Sequence, residues 1–418
     1  MNTFSLPINR DRIWQRLMEL AEIGRYGRSG VDRQALTPGD LEAKRWLIAW
    51  ARARGLDAST DAIGNLFVRL PGRSPQAEPV AVGSHLDTEA SGGRFDGAYG
   101  VVAAMELIDS LMEQRIEIDR PVDLVAWTNE EGSRFRPGCM GSKAYVDPGS
   151  LPALLAEQDD EGVSVAAALK LHEEALPDLP VRRLGASFAA FIEAHIEQGP
   201  VLERAGKAVA AVHGIQGRRV YEISVTGRTA HAGTTPYEAR RDALEFTTGL
   251  LGQFYARAAE EPAIRITPGR LVVEPNSPSV VPGRVRLTVD IRHPDASVLN
   301  GLPEWLSSLV GASGRAGASI VEIDRLDPVT FDPDLVEAGR VASIAEGGLA
   351  VSMVSGASHD SHVLAGFYPT AMIFVRCREG ISHHEDEYAS PDDLAAGARA
   401  LAACLLRASS NPSSQQPA

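Results

Sequence analysis

The chain of 418 residues reads as an α/β protein with a mixed sheet, interrupted by a smaller inserted α+β domain. Three observations predict this. Short apolar runs alternate with amphipathic helices in the first half, the period of the pattern changes near residue 212, and the first pattern resumes near residue 329. A hydrophobic content of 44% over this length suffices for a large core and more than one domain.

Taken in order, "LEAKRWLIAWARARG" (41–55) predicts a helix with Leu41, Trp46, Leu47 and Trp50 along one stripe, closed by Gly55. "NLFVRL", "PVAVGSH" and "VDLVAWTNEE" are near-continuous apolar runs, the pattern of strands covered on both faces. Between the last two, "YGVVAAMELIDSLMEQ" predicts a helix with Val101, Met105, Ile108 and Met112 on its inner side. Strand, helix, strand makes a βαβ unit, whose ligand crevice lies at the carboxyl ends of its strands. His85 and Glu130 fall at such ends.

From 212 to 328 the order is strand ("RVYEISVTG"), long helix ("YEARRDALEFTTGLLGQFYARAAE"), two strands ("AIRITPGRLVVE" and "RVRLTVDIRH"), helix ("VLNGLPEWLSSLV") and strand ("ASIVEIDRL"). This βαββαβ order is ferredoxin-like. "TAMIFVRC" and "PDDLAAGARALAACLLRA" then return the chain to the first domain, which therefore comprises 1–211 and 329–418. The last residues, 409–418, lack apolar character and are expected to be disordered.

A net charge of −14 argues against a nucleic-acid footprint, and no basic run invites a membrane surface. Charges at Arg10, Asp11, Arg12 and Arg16 break the apolar stretch that a secretory signal needs, and no uncharged stretch is long enough to span a bilayer. Cys139, Cys377 and Cys404 form neither a CxxC motif nor a disulfide scaffold. The expected location is the cytoplasm.

The chemistry concentrates in a few polar stretches. In "GSHLDT" an extended backbone puts His85 and Asp87 on one side, so the carboxylate can accept the second N–H of the imidazole and fix its orientation. Asp96, in "GGRFDGAYG", stands just before a helix and suits either an N-cap or a ligand. Glu130 and Glu131 end the next strand; adjacent carboxylates repel unless a cation or proton intervenes, and extended backbone sends them in different directions. "AHIEQGP" contributes His195, Glu197 and Gln198, and "ISHHEDE" contributes His383, His384 and Glu387. Imidazoles and carboxylates without cysteine suit zinc, manganese, cobalt or nickel, and two ions sharing a bridging carboxylate would use the whole set. His172, His213 and His293 read as surface or packing residues.

Taken together, "GSHLDT", "GGRFDGAYGV", "NEEGSRF", "AHIEQGP", "GRTAHAGTTP", "PNSPSVVPG", "DIR" and "ISHHEDE" resemble, in this order, the hydantoinase/carbamoylase branch of the M20 metal-dependent amidohydrolases and peptidases. The resemblance implies a zinc-peptidase-like catalytic domain and an inserted lid that also serves dimerisation. It implies two divalent metal ions per chain: His85 and His195 on one, Glu131 and His383 on the other, and Asp96 between them. Glu130 would be the general base and Asp87 the residue that orients His85. His231 would stabilise the oxyanion, supplied by lid closure or across a homodimer; the alternative reading is a turn histidine that caps "TTPYEARRDA". Gln198, Asn276 and Arg292 would bind substrate, as would backbone N–H groups at Gly356 and Ala357, while His359 and Asp360 brace the site. Arg292 lies on the polar face of its strand, where it can clamp a carboxylate or simply pair with Asp290.

In this sequence His384 and Glu385 stand where the branch more often has a small polar residue and proline, which leaves His383 or His384 open as the ligand. The implied reaction is hydrolysis of the carbamoyl group of an N-carbamoyl-L-amino acid, a small ureido substrate bearing a carboxylate. Allantoate and beta-ureidopropionate hydrolysis are the neighbouring alternatives. A reading of another class is a non-catalytic binding or assembly protein with a degraded site.

Overall fold

The computed structural model describes residues 6–311 and 316–410. The chain divides into two compact units, one made of the residues up to His213 and from Thr330 onward, the other of Gly214–Val329. The expected tail lies outside the described residues from 411; Ser409, assigned to it from sequence, is instead the last residue of the helix Pro391–Ser409 and is buried.

The first unit is built on a mixed sheet in the order Val329–Thr330, Val209–Ile215, Thr370–Val375, Ala190–Ile196, Val80–His85, Val122–Trp127, Leu66–Leu70, Asp57–Thr60, with Met353–Ser355 beside Val209–Ile215. Its four central strands are parallel, and antiparallel strands flank them on both sides. Every residue of Val80–His85, Val122–Trp127, Ala190–Ile196 and Thr370–Val375 is buried. This explains why these strands read as continuous apolar runs rather than alternating ones.

The helix Ala98–Glu113 differs from its sequence reading. Rather than presenting one stripe, it is buried on all sides from Ala98 to Leu111. It packs on the sheet and is covered by the helices Arg10–Ala21 and Pro391–Ser409. Its acids can be buried because Arg12 pairs with Glu106 at 2.6 Å, and Arg16 and Arg54 both pair with Asp109. The helix predicted at 41–55 spans Pro38–Arg52: Thr37 caps its first turn and Pro38 occupies a position where proline lacks no needed N–H.

In the second unit, the strands are antiparallel in the order Arg265–Glu274, Arg284–His293, Gly217–Thr226, Gly317–Leu326. Val285, Leu287, Val289 and Ile291 face inward, as the alternation predicts, and join Leu250, Phe254, Leu302 and Leu306 from the helices Ala243–Glu260 and Leu302–Gly311 in one core. The long helix begins later than its apolar pattern suggests, because Asp242 accepts N–H bonds from Leu244 and Glu245 and so starts the first turn. Among the described residues, no helix is long and apolar enough to cross a membrane.

Candidate active site

Four parallel strands deliver polar residues to one edge of the first unit's sheet. Val80–His85 ends on His85, and Ala190–Ile196 carries His195 at its penultimate position. Just beyond Val122–Trp127 come Glu130 and Glu131, while Thr370–Val375 leads through a short turn to His383. The pairings His85 with Trp127 and Phe374 with His195 put these ends side by side.

Asp96 sits at the centre of the cluster. Its Oδ1 lies 3.0 Å from His195 Nε2 and 3.7 Å from His85 Nε2; its Oδ2 lies 3.2 Å from His383 Nε2. His383 Nε2 is also 3.5 Å from Glu131, and His85 Nε2 is 3.5 Å from Glu130. Asp96 does not cap the following helix: Gly97 takes the cap position without any side-chain bond. Gly97 is required twice over, by its φ of +62° and because a Cβ there would fall 2.3 Å from the His85 ring. His384 turns away, its Nδ1 accepting the Asp386 N–H, so only His383 enters the cluster.

Asp87 acts differently from the sequence reading. The atom 2.8 Å from His85 Nδ1 is its backbone carbonyl, while the carboxylate stands 4.0 Å away and accepts the N–H groups of Glu130 and Glu131. The correction has a simple cause: alternation gives the side on which a residue points, not which of its atoms arrives first. His195 Nδ1 likewise faces the Ile196 carbonyl at 2.9 Å. Both imidazoles therefore donate from Nδ1 and turn Nε2 toward the cluster, the orientation in which Nε2 can bind a metal once it carries no proton.

Among the described residues three groups of atoms could hold an ion, His85 with Asp96 and His195, Glu89 with Glu131 and His383, and Glu193 with His195 and His359; the ligand atoms within each lie within 4.8 Å of one another. The donor set fits divalent cations. Asp96, Glu130 and Glu131 are buried together, and the only ion-pair partners they have among the described residues are histidines. Without a cation, burial together with Asp360, Asp87, Asp96 and Glu193 pushes the Glu130 carboxyl well above its usual range. Burial and the same acidic company, Asp96 and Glu130 foremost, do this to Glu131. Burial opposes ionisation of Asp96 as well, but His195 and His383 hold it well below the carboxylate range. Metal ions relieve this kind of crowding.

Sequence reasoning missed part of the support. Glu193, two residues before His195 and hence on the same side of its strand, accepts bonds from Ser84 and Ser361 and forms a buried group with His195 and His359. That i, i+2 spacing was the available signal. Cys139 Sγ, also not foreseen, lies 3.5 Å from Glu130, whereas two residues that the sequence did single out support the site: Asp360 accepts from Ser142 at 2.5 Å, and Glu387 holds the N–H groups of Phe95 and Asp96. Backbone φ is positive at Asn129, Cys139, Gln198 and His383, a concentration of conformational cost that marks functional sites.

Of the substrate-binding candidates, Gln198 joins the cluster, its amide donating to Asp96 at 2.7 Å. The Ala357 N–H, expected to face substrate, instead donates to Ser355 Oγ at 3.1 Å. Gly356 lies in the same turn. His231, Asn276 and Arg292 belong to the second unit; there Arg292 pairs with Asp290 at 2.9 Å, and His231 Nδ1 accepts the N–H groups of Gly233 and Thr234. His172 is buried and His213 exposed, both outside the cluster, and His293 is buried in the second unit.

The profile of peptidase family M20/M25/M40 matches residues 81–407. The chain belongs to that family. It is a hydrolase acting on amide C–N bonds. An N-carbamoyl-L-amino-acid amidohydrolase of Rhizobium meliloti is 38% identical over 96% of each chain. An allantoate amidohydrolase of Bacillus subtilis is 35% identical, covering 93% of this chain and 95% of its own. Among solved structures, a hydantoinase/carbamoylase family amidase from Burkholderia multivorans superposes with a TM-score of 0.90 at 40% identity, covering 97% of this chain and 99% of its own. This M20 chain thus matches these amidases over nearly their whole length.

Proposed function

We propose that this M20 hydrolase is a two-metal amidohydrolase that removes the carbamoyl group of N-carbamoyl-L-amino acids, releasing the amino acid, carbon dioxide and ammonia. The observation that carries this reading is the division of Asp96, with Oδ1 toward His195 and His85 and Oδ2 toward His383. His85 and His195 would hold one ion, Glu131 and His383 the other, and Asp96 both; zinc, manganese, cobalt and nickel all suit these donors.

When bound, divalent ions polarise a carbonyl and lower the pKa of water from roughly 15.7 to about 7. Glu130 takes a proton from the attacking water and delivers it to the leaving nitrogen. In the absence of a cation, burial and the surrounding acids raise the affinity of its carboxyl for a proton. Asp87 holds His85 through its backbone carbonyl and steadies both glutamates through its carboxylate. His231 donates to the developing oxyanion, Arg292 clamps the substrate carboxylate, and Gln198, Asn276 and Gly356 complete the substrate contacts.

The domains follow the same reading: 1–211 with 329–418 as the catalytic part, and 212–328 as a ferredoxin-like lid and dimerisation domain. The strand order of the second unit supports the ferredoxin-like assignment. We take the enzyme to be a cytoplasmic homodimer; its three cysteines, all buried and free, are in keeping with a reducing compartment.

Allantoate is the second substrate to weigh, since the Bacillus subtilis relative named for it covers nearly the whole chain. Ammonia release from metal-loaded enzyme, measured across carbamoyl amino acids of both hands, beta-ureidopropionate and allantoate, tests the reading. Turnover of L-carbamoyl amino acids above the rest is expected, and turnover of allantoate alone would overturn the substrate assignment.

A further inference from the structure

Away from the cluster, a cavity of about 110 Å³ is bordered by Met18 and Ala21 of the first helix and Glu22 at its end, by Arg25, Arg28 and Ser29 of the hairpin that follows, and by Arg94; Glu22 is the one carboxylate on it, and it is engaged by Arg25. Three guanidinium groups on one small cavity stand out in a chain of net charge −14. Two have partners: Arg25 pairs with Glu22 at 3.1 Å and Arg28 with Asp386 at 2.9 Å.

Arg94 has no carboxylate partner among the described residues, and its guanidinium carbon lies 5.6 Å from the centre of the Phe95 ring. Its Nη1 meets only the Met18 sulfur, at 3.5 Å, and its Nε is buried without a hydrogen-bond partner. Glu387 packs against neighbouring Gly93, but its oxygens accept the N–H groups of Phe95 and Asp96 and the Ser382 hydroxyl. The backbone carbonyls at the end of the first helix do not oppose an anion strongly, because Leu20 and Ile23 carbonyls accept the buried Arg33 guanidinium. Arg94 is half-buried, and its buried Nε donor lacks an acceptor that an anion in the cavity would supply.

We propose that this cavity is a binding site for a compact oxyanion, held by Arg94 with Arg25 and Arg28. The volume admits a phosphate, a sulfate or a short carboxylate and falls well below the space a drug-sized or nucleotide ligand needs. Planar guanidinium groups match such oxyanions with paired N–H donors. The cavity also joins two loops of the candidate active site. Arg94 precedes Asp96 by two residues, and the hairpin is tied to the His383 loop by bonds from the Arg28 N–H and Ser29 hydroxyl to Glu385.

The test pairs location with affinity, both on metal-loaded protein. Crystals soaked in selenate should show anomalous selenium density in contact with the Arg94 guanidinium, whatever is also seen at the metal cluster. In solution, titration calorimetry with phosphate should show affinity falling about tenfold or more in Arg94→Met, the loss expected for a charge-assisted pair. Arg28→Gln should weaken binding severalfold; this side chain is 78% exposed and its loss does not burden folding, so the test survives a misfolded Arg94 variant. A parallel titration with acetate distinguishes inorganic oxyanion from carboxylate, and binding of either at this place upholds the site. Selenium density confined to the metal cluster, or phosphate binding unchanged in both variants, would overturn it.

Discussion

Glu130 is the residue on which turnover rests most heavily. Its carboxylate stands 3.5 Å from His85 Nε2, and divalent ions at the cluster would offset the burial and acidic company that otherwise favour its protonated form. Glu130→Gln keeps the shape and removes the base, so metal content should persist while kcat falls by roughly a thousandfold, the usual scale of general-base loss. Retained turnover at normal metal content would remove Glu130 from that role. His383 and His384 offer an internal comparison: His383→Ala should lose bound metal, and His384→Ala should keep it, because the His384 ring is engaged with Asp386. Metal analysis of the two purified variants decides this. Much at this scale was legible in the sequence, since His85, Asp96, Glu131 and His195 stand in recognisable motifs. The carbonyl of Asp87 was not, because a pattern of residue types carries no information on which atom of a residue makes the contact.

At the scale of elements, the helix Ala98–Glu113 explains why so permissive a loop precedes it. Gly97 lets the helix start directly against His85. Gly97→Ala should displace that ring, lowering stability by about 1–3 kcal/mol through overpacking and strain and weakening metal retention; a variant with wild-type melting temperature and metal affinity would contradict this. The same helix buries Asp109 between Arg16 and Arg54. Burial alone would raise the Asp109 pKa, yet the two guanidinium groups bring it below its usual value. A carboxylate whose pKa is lowered in the folded state stabilises fully above its unfolded pKa, near 3.9, and loses that contribution as pH falls through the folded value. Asp109→Asn should therefore cost about 3 kcal/mol at neutral pH by stranding Arg16, and the loss should shrink toward pH 3 in urea denaturation; a difference constant with pH would contradict the pairing. The helix was legible in the sequence and its all-round burial was not, because the arginines that neutralise its acids lie far off in the chain, in the first helix and in the turn after Pro38–Arg52.

For the whole molecule, the candidate ligands are separated by up to 298 residues in sequence, from His85 to His383 (383 − 85), and meet because four parallel strands end at one edge. That convergence could be read from strand ends that carry polar residues, and the interruption near 212 from the change of period. What holds the substrate could not be read in the same way, because Arg292 pairs with Asp290 within its own unit and Ala357 bonds to its own turn. If the second unit dimerises the enzyme, sedimentation velocity should give a species of twice the chain mass at micromolar concentration, and a monomer there would argue against it. The central claim is the shared carboxylate at Asp96, and metal counting tests it most directly. Elemental analysis of protein purified without chelator should find about two divalent ions per chain, falling to near zero in Asp96→Ala. Fewer than one ion per chain in the unaltered protein, or an Asp96→Ala variant that keeps its full complement, would contradict the account.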